Sequence, residues 1–107
     1  DWLRLPAEPE GGRHGWQSFV TFVEFTESPL PRNEIMERLQ ARGVSTRPGT
    51  HAVHTLRAYQ KRFGLRPDDY PEALACAEQS MAIPLHNRMT KEDLAWVAES
   101  LRTVASS

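Results

Sequence analysis

The chain has 107 residues, 39% of them hydrophobic and 25% charged, a composition typical of one soluble globular domain with a modest core. Thirteen basic and fourteen acidic residues leave a net charge of −1. No basic field can therefore hold a phosphate backbone, and nucleic acid is excluded as a default partner. No apolar run approaches the roughly 20 residues that a membrane helix needs, so we expect no membrane partner.

The single cysteine, Cys76, excludes an internal disulfide and fits a reducing cytoplasm. It lies in a predicted helix beside alanines, so we expect a small buried hydrophobic side chain rather than a nucleophile. The chain begins at Asp1, without an initiator methionine and in what reads as the middle of a strand. We therefore expect a piece of a longer protein that carries only part of a functional site.

Four segments have the residue pattern of β-strands. Alternating apolar and polar residues predict a short strand over Trp2–Leu5. Trp16–Phe25 is the strongest strand, because it is rich in aromatic and β-branched residues. Both of its faces are largely apolar, so we expect a central strand that is covered on each side. Short strands are also predicted over Val44–Arg47 and Met81–Ile83, the second ended by Pro84.

Four amphipathic helices are predicted, over residues 32–42, from His51 or Ala52 to 63, over 71–80, and over 91–104. Gly43 and Gly64 lie where a residue with left-handed backbone conformation ends a helix. Val44 can then pack back on the last turn of the helix that Gly43 ends. Thr90 and Asp93 form a capping box for the last helix. The expected buried residues are Ile35, Met36 and Leu39; Val53, Leu56, Tyr59 and Phe63; Leu74, Cys76 and Ala77; and Leu94, Val97, Leu101 and Val104.

This order of elements predicts an α+β fold, a small and mostly antiparallel sheet with helices packed on one side. Trp16 and Trp96 are expected in the core rather than as stacking platforms. The sequence shows no internal repeat, no Gly-x-Ser-x-Gly elbow and no glycine-rich phosphate loop. Residues 1–107 therefore form a single domain in this interpretation.

The segment from Gly43 to Leu56 departs from the regular pattern of the rest of the chain. Arg47 lies there between Thr46 and Pro48, and Gly49 follows, which lets the backbone turn tightly. The planar guanidinium fork of arginine suits a carboxylate or a phosphate. A local salt bridge is the other interpretation of Arg47, and the sequence leaves both open.

Two histidines in this segment raise the question of a metal. His51 and His54 are three residues apart and would share a helix face, with His86, Glu78 or Cys76 as a third ligand. No Cys-x-x-Cys or His-Glu-x-x-His pattern supports such a site, so we expect no metal ligands. In the alternative interpretation one histidine caps backbone groups and the other is solvated.

Eight segments of the sequence form an ordered set that resembles a known family. They are Trp16–Val20, Ile35–Leu39, Gly43–Arg47, Thr50–His54, Tyr59, Asp69–Ala73, Ile83–His86 and Met89–Leu94. In order and spacing the set resembles the C-terminal domain of the DegT/DnrJ/StrS sugar aminotransferases, which use pyridoxal phosphate and have the aspartate aminotransferase fold. No single segment decides the resemblance.

The resemblance implies a full-length protein several times longer, usually a homodimer. Its large N-terminal domain holds pyridoxal phosphate through a Schiff-base lysine, an aspartate at the pyridine nitrogen and most phosphate contacts. Lys61 and Lys91, the lysines of this chain, fall on predicted helix exteriors or caps. A Schiff-base lysine needs a buried site that lowers its pKa. We therefore expect no catalytic or cofactor-binding residue here, and no cofactor binding by residues 1–107 alone.

The resemblance also implies that the loop ending in Val53-His54 lies at the substrate mouth. We therefore assign substrate binding to His54 and extend this role to Arg47, Thr50 and His51. The implied reaction transfers an amino group from an amino acid such as glutamate to a nucleotide-linked keto sugar, in the biosynthesis of cell-surface polysaccharide or secondary-metabolite sugars. Many relatives have an aromatic residue shortly before the Val-His pair, where this chain has Gly49-Thr50-His51.

Two other functions remain open at this point. The first is a non-catalytic α+β module that binds a small anion through the Arg47–His54 loop. The second is a metal-binding domain that uses His51, His54 and His86.

Overall fold

The computed structural model describes residues 2–86 and 88–106. The strands are β1, Leu3–Arg4; β2, Phe19–Val23; and β3, Ser80–Ile83. The α-helices are α1, Arg32–Ala41; α2, Arg57–Phe63; α3, Pro71–Gln79; and α4, Lys91–Ser106. Two 3-10 turns cover Val53–Thr55 and Pro67–Asp69. Within these ranges no helix has both the length and the hydropathy to span a membrane.

The sheet has the order β1-β2-β3, and both neighbouring pairs are antiparallel. The predicted α+β fold and the central position of β2 are thus confirmed. Thr21 and Val23 are fully buried on one face of β2, whereas Val20 and Phe22 on the other face are only half-buried. The second face of β2 is therefore covered only in part, less than the prediction that β2 is covered on each side.

The core lies on the buried face of the sheet, where α1 and α4 pack. The buried residues of this core are Val23, Ile35, Leu39, Val44, Met81, Val97 and Val104. Met36 and Leu101 are partly buried against it, as the helical periodicity predicts. Leu94 is the exception among the predicted residues of α4, since its side chain is half-exposed.

The end of α1 follows the predicted pattern. Gly43 has φ 81°, the left-handed conformation that favours glycine. The N–H of Gly43 donates to the carbonyl of Gln40 at 3.0 Å, and the N–H of Val44 donates to the carbonyl of Leu39 at 2.9 Å. These two bonds form a Schellman motif, which satisfies the last carbonyls of the helix. Val44 is thereby turned back into the core, as predicted.

The capping box of α4 is also confirmed. The N–H of Asp93 donates to Thr90 Oγ1 at 3.1 Å, and the N–H of Thr90 donates to Asp93 Oδ2 at 2.9 Å. Each side chain therefore satisfies a backbone donor that the first turn of a helix leaves unpaired.

The predicted helix from His51 or Ala52 to Phe63 is wrong in its first half. Residues 53–55 form a 3-10 turn, and Leu56 is extended, with ψ 136°, so α2 begins only at Arg57. The expected buried stripe of Val53, Leu56, Tyr59 and Phe63 is between 44% and 59% exposed. Apolar periodicity shows that a segment is amphipathic, but it does not show which surface covers the apolar face.

Cys76 is exposed, so its predicted burial is wrong. It lies on α3, a helix in which no residue is fully buried; Leu74 and Ala77 are half-buried there. Because α3 lies at the surface, the alanines beside Cys76 do not place it in the core.

The two tryptophans expected in the core are both partly exposed. Trp96 is 48% exposed; its Nε1–H donates to the carbonyl of Arg42 at 2.9 Å, and the Arg42 guanidinium lies 4.7 Å from the centre of its ring. Trp16 stacks between His14 and Phe19, with ring centres 4.1 Å and 5.4 Å away. Trp96 thus pairs its polar N–H with a backbone acceptor while about half of its surface stays exposed.

Arg32 is a buried arginine that the sequence did not distinguish from an ordinary first residue of a helix. Its side chain is 9% exposed, and its guanidinium donates to the carbonyls of Ala77 and Ser80 and to Asn33 Oδ1. Burial lowers the pKa of the guanidinium, and the Glu78 carboxylate acts in the opposite direction. Arg32 thus ties the start of α1 to the junction of α3 and β3.

We expect Arg32→Met to lower the free energy of unfolding by about 2–3 kcal/mol, because two carbonyls lose a charged hydrogen-bond donor. Urea unfolding of the protein that carries this chain measures the effect. Arg57→Met is the matched control: Arg57 is exposed, and its substitution should change stability by less than about 0.5 kcal/mol. Equal midpoints for the two variants would contradict the role of Arg32.

Candidate functional site

The loop over residues 47–54 is fixed at its start to the outer edge of β3. The N–H of Arg47 donates to the carbonyl of Ala82 at 3.2 Å, and the N–H of Ala82 donates to the carbonyl of Arg47 at 2.7 Å. The edge strand predicted over Val44–Arg47 is therefore reduced to this one antiparallel bridge. The next bond in this register, from the Gly49 N–H to the Ser80 carbonyl, is long at 3.4 Å.

Gly49 continues the contact of the loop with the sheet. Its N–H donates to Ser80 Oγ at 3.0 Å, and a Cβ atom at Gly49 would lie 2.5 Å from Val20 Cγ1 and 2.8 Å from Ser80 Oγ. Gly49 is not among the residues with positive φ. Glycine is thus required here because the backbone approaches the sheet closely, and the tight turn expected at this position is not the reason.

The loop presents its polar side chains to solvent. Arg47, Thr50 and His51 are all exposed. Within residues 2–86 and 88–106 the Arg47 guanidinium forms no ion pair and no hydrogen bond, so the local salt bridge considered above is absent there. A fixed backbone with an unpaired guanidinium is suited to binding an anion.

His54, by contrast, is buried, with 6% of its surface exposed. Its Nε2 lies 2.8 Å from the carbonyl oxygen of Pro67, and its ring meets the edge of Tyr70 with ring centres 5.0 Å apart. A carbonyl oxygen only accepts hydrogen bonds, so Nε2 carries a hydrogen and donates a hydrogen bond to the Pro67 carbonyl. A substrate contact through Nε2 would require this bond to break.

Two hollows border the loop on different sides. One, of about 400 Å³, is lined by His51, Val53, His54, Leu65, Tyr70 and Ala73. The other, of about 280 Å³, includes Gly49, Thr50, Cys76 and Ser80 in its lining. The structure therefore places the four predicted substrate-binding residues on one loop, but Thr50 faces one hollow and the two histidines face another.

The arrangement of the histidines gives no support to a metal site. His51 lies in extended chain and His54 in a 3-10 turn, so the helix face on which the pairing depended does not exist. His86 lies in the segment after β3 and lines a different hollow, with Gly43 and Trp96. Nowhere in the described ranges do three or more His, Cys, Asp or Glu side chains come together as metal ligands.

Sequence reasoning missed the partners that hold the loop. Ser80 bonds Gly49 from 31 residues away, and Pro67 accepts from His54 across 13 residues. No local pattern marks either contact, since both depend on how distant segments fold together. Tyr70 belongs to the Asp69–Ala73 segment, one of those on which the family resemblance rests. Nothing in that segment indicated that Tyr70 contacts His54.

Comparison with known proteins decides the family. The model of the DegT/DnrJ/EryC1/StrS aminotransferase family matches residues 2–102. The chain belongs to this family. The resemblance inferred from the eight ordered segments is thereby confirmed.

Two relatives show how much of a family member this chain spans. It is 28% identical over 103 residues to the spore coat polysaccharide biosynthesis protein SpsC of Bacillus subtilis, covering 95% of this chain and 26% of SpsC. It is 22% identical over 104 residues to the uncharacterized protein MJ1066 of Methanocaldococcus jannaschii, and the match covers 97% of this chain and 27% of MJ1066. The chain thus spans about a quarter of the length of these relatives.

Solved structures of family members share the fold. Spr1654 of Streptococcus pneumoniae, assigned as a sugar aminotransferase and solved in its PLP form, aligns with TM-score 0.85 and 25% identity over 99% of this chain and 27% of that protein. The aminotransferase of Psychrobacter cryohalolentis aligns with TM-score 0.83 and 20% identity, over 98% of this chain and 29% of that protein. The three-stranded sheet and its helices therefore correspond to part of an aminotransferase.

The residues of this chain do not by themselves fit the attachment of pyridoxal phosphate. Lys61 lies on α2 and Lys91 is the first residue of α4, and both side chains are exposed. A lysine that forms a Schiff base at neutral pH needs a desolvated site or a neighbouring cation. We therefore derive no step of cofactor chemistry from residues 2–106.

We expect Gly49→Ala to destabilise the protein by about 1–3 kcal/mol, because the added methyl group overlaps Val20 and Ser80 and pushes the loop away from the sheet. Gly15→Ala is the matched control, since a Cβ atom there meets nothing within 4 Å. Thermal unfolding of both variants in the protein that carries this chain makes the comparison. A Gly49→Ala variant as stable as Gly15→Ala would show that the close approach is not required.

Proposed function

We propose that this chain is the C-terminal domain of a pyridoxal-phosphate-dependent sugar aminotransferase, and that residues 47–54 form part of its substrate entrance. The observation that carries this proposal is the match of residues 2–102, nearly the whole chain, to the aminotransferase family. The alignment with the PLP form of Spr1654 supports the same cofactor for the full-length protein.

In this proposal the cofactor supplies the chemistry of the reaction and this chain binds the substrate. Pyridoxal phosphate supplies the reactive carbonyl group and the electron sink of amino-group transfer. Because Lys61 and Lys91 are exposed on the surface of this chain, we assign the cofactor-binding lysine to a large N-terminal domain, as the family resemblance implies. The contribution of residues 47–54 is binding and orientation of the substrate, and residues 1–107 alone are inactive.

The chemistry of the loop fits anionic, hydroxyl-rich substrates. A nucleotide-linked keto sugar carries phosphates and glutamate carries carboxylates, and either group can pair with the exposed Arg47 guanidinium. The Thr50 hydroxyl and the His51 imidazole both donate and accept hydrogen bonds, as recognition of sugar hydroxyls requires. The backbone bridge at Arg47 and the close contact at Gly49 hold this loop in place before substrate arrives.

The biological setting follows from the same proposal. The name of SpsC supports a role in the biosynthesis of polysaccharide. The biosynthesis of secondary-metabolite sugars is the alternative that the family resemblance implies. A single free cysteine, Cys76, suits a cytoplasmic enzyme. We propose a homodimer, the usual state of the relatives, for the full-length protein.

A non-catalytic module that binds a small anion is the second candidate, and one observation favours it: the unpaired Arg47 guanidinium does not need a cofactor to bind an anion. It uses the same loop as the aminotransferase. The two candidates differ in whether the full-length protein transfers an amino group.

We expect Arg47→Ala in the full-length enzyme to raise KM about tenfold for one anionic substrate, the keto sugar or the amino acid, and to change kcat by less than about twofold. Steady-state kinetics with each substrate varied in turn measure both constants. Arg57→Ala is the matched control, since Arg57 is an exposed arginine at the start of α2 and outside the loop.

Unchanged KM values for both substrates would contradict the assigned role of Arg47. Absence of amino-group transfer to any nucleotide-linked keto sugar, in folded full-length protein supplied with cofactor, would contradict the aminotransferase itself. Binding of phosphate in that same protein would then favour the anion-binding module.

A further inference from the structure

The loop over residues 47–54 is hydrogen-bonded to other segments near both of its ends, and Ala52 between them is buried, with 2% of its surface exposed. Its first end is bonded to β3 through Arg47 and Gly49. Its second end is bonded to a different segment, through the hydrogen bond from His54 Nε2 to the Pro67 carbonyl. Between these contacts, Thr50 and His51 make no hydrogen bond within the described ranges of the chain.

We propose that His54 is a positioning residue: its hydrogen bond to Pro67 latches the second end of the loop and so places Thr50 and His51 at the hollows that they line. In this assignment His54 acts on the substrate through its neighbours and does not contact it. The consequence for substrate binding rests on the proposed function, whereas the latch itself does not.

Burial supports the latch. The His54 side chain is 6% exposed, and burial of a polar ring is costly unless its N–H finds an acceptor. The Pro67 carbonyl at 2.8 Å meets this need, and the edge of Tyr70 packs against the other part of the ring. A ring enclosed in this way has one favoured orientation, so it can transmit the position of residues 66–70 to the loop.

Apart from the burial of Ala52, the surrounding segment is held by local hydrogen bonds. Residues 53–55 form a single 3-10 turn, closed by the bond from the Thr55 N–H to the Ala52 carbonyl and the bond from the Leu56 N–H to the Val53 carbonyl. The apolar residues of α2 that follow are exposed and add no packing against the core. Loss of the latch should therefore loosen the loop while the core of the domain stays folded.

A matched pair of substitutions in the full-length protein isolates the hydrogen bond. The amide nitrogen of His54→Gln reaches about as far as Nε2 and can still donate to Pro67, whereas the shorter His54→Asn cannot. Both variants lose the contact of the ring with Tyr70, so a difference between them reports the bond alone. His86→Asn is the control for substitution of an exposed histidine, since His86 lies outside the loop.

Hydrogen exchange followed by mass spectrometry is the first readout. In His54→Asn the hydrogen-bonded amides of Thr55 and Leu56 should exchange at least about fivefold faster than in the unmodified protein, the effect expected for the loss of one net hydrogen bond. In His54→Gln the change should be less than about twofold. Equal exchange in the two variants would overturn the latch, whether or not the protein is an enzyme.

The kinetic constants are the second readout. His54→Asn should raise KM for the substrate that contacts Thr50 and His51 about fivefold with kcat nearly unchanged, and His54→Gln should restore KM. Faster exchange without a change of KM would overturn the effect on the substrate and leave the latch in place. Faster exchange in a protein that transfers no amino group would count against the proposed function alone.

Discussion

The position of the candidate site depends on one close approach, that of the Gly49 backbone to the half-buried face of the sheet. A Cβ atom there would lie 2.5 Å from Val20 Cγ1, so only glycine lets the loop reach Ser80. Because Arg47 is paired with Ala82 two residues earlier, the loop leaves the sheet in a fixed direction. This contact of backbone with sheet positions the first half of the loop, and the bond from His54 to Pro67 positions the second.

Features controlled by neighbouring residues could be predicted from the sequence. The Schellman motif at Gly43 and the capping box of Thr90 and Asp93 involve residues a few positions apart, so local patterns carry the necessary information. The largely apolar residues on both faces of β2 likewise predicted a central strand. The second predicted helix was wrong only in its first half, because Leu56 adopts an extended conformation that amphipathic periodicity cannot reveal.

The sequence could nominate residues for the candidate site, but it could not predict the surroundings of each one. The resemblance selected Arg47, Thr50, His51 and His54, but it gave them one shared role, whereas the structure exposes three of them and buries His54 against Pro67. Contacts between distant segments decide such differences. The same reason applies to the apolar residues of α2, which are exposed in this chain. The chain spans about a quarter of the length of its relatives, so its sequence does not show which surface covers them.

The measurement that tests the central claim most directly is the visible absorption spectrum of the full-length protein, recorded before and after addition of glutamate. An aminotransferase predicts an absorption band of a cofactor Schiff base that shifts when glutamate is added, because the amino acid donates its amine to the cofactor. Folded protein supplied with pyridoxal phosphate that shows no such band would contradict the account. The family likeness would then be one of fold, and the anion-binding loop would be the function to pursue.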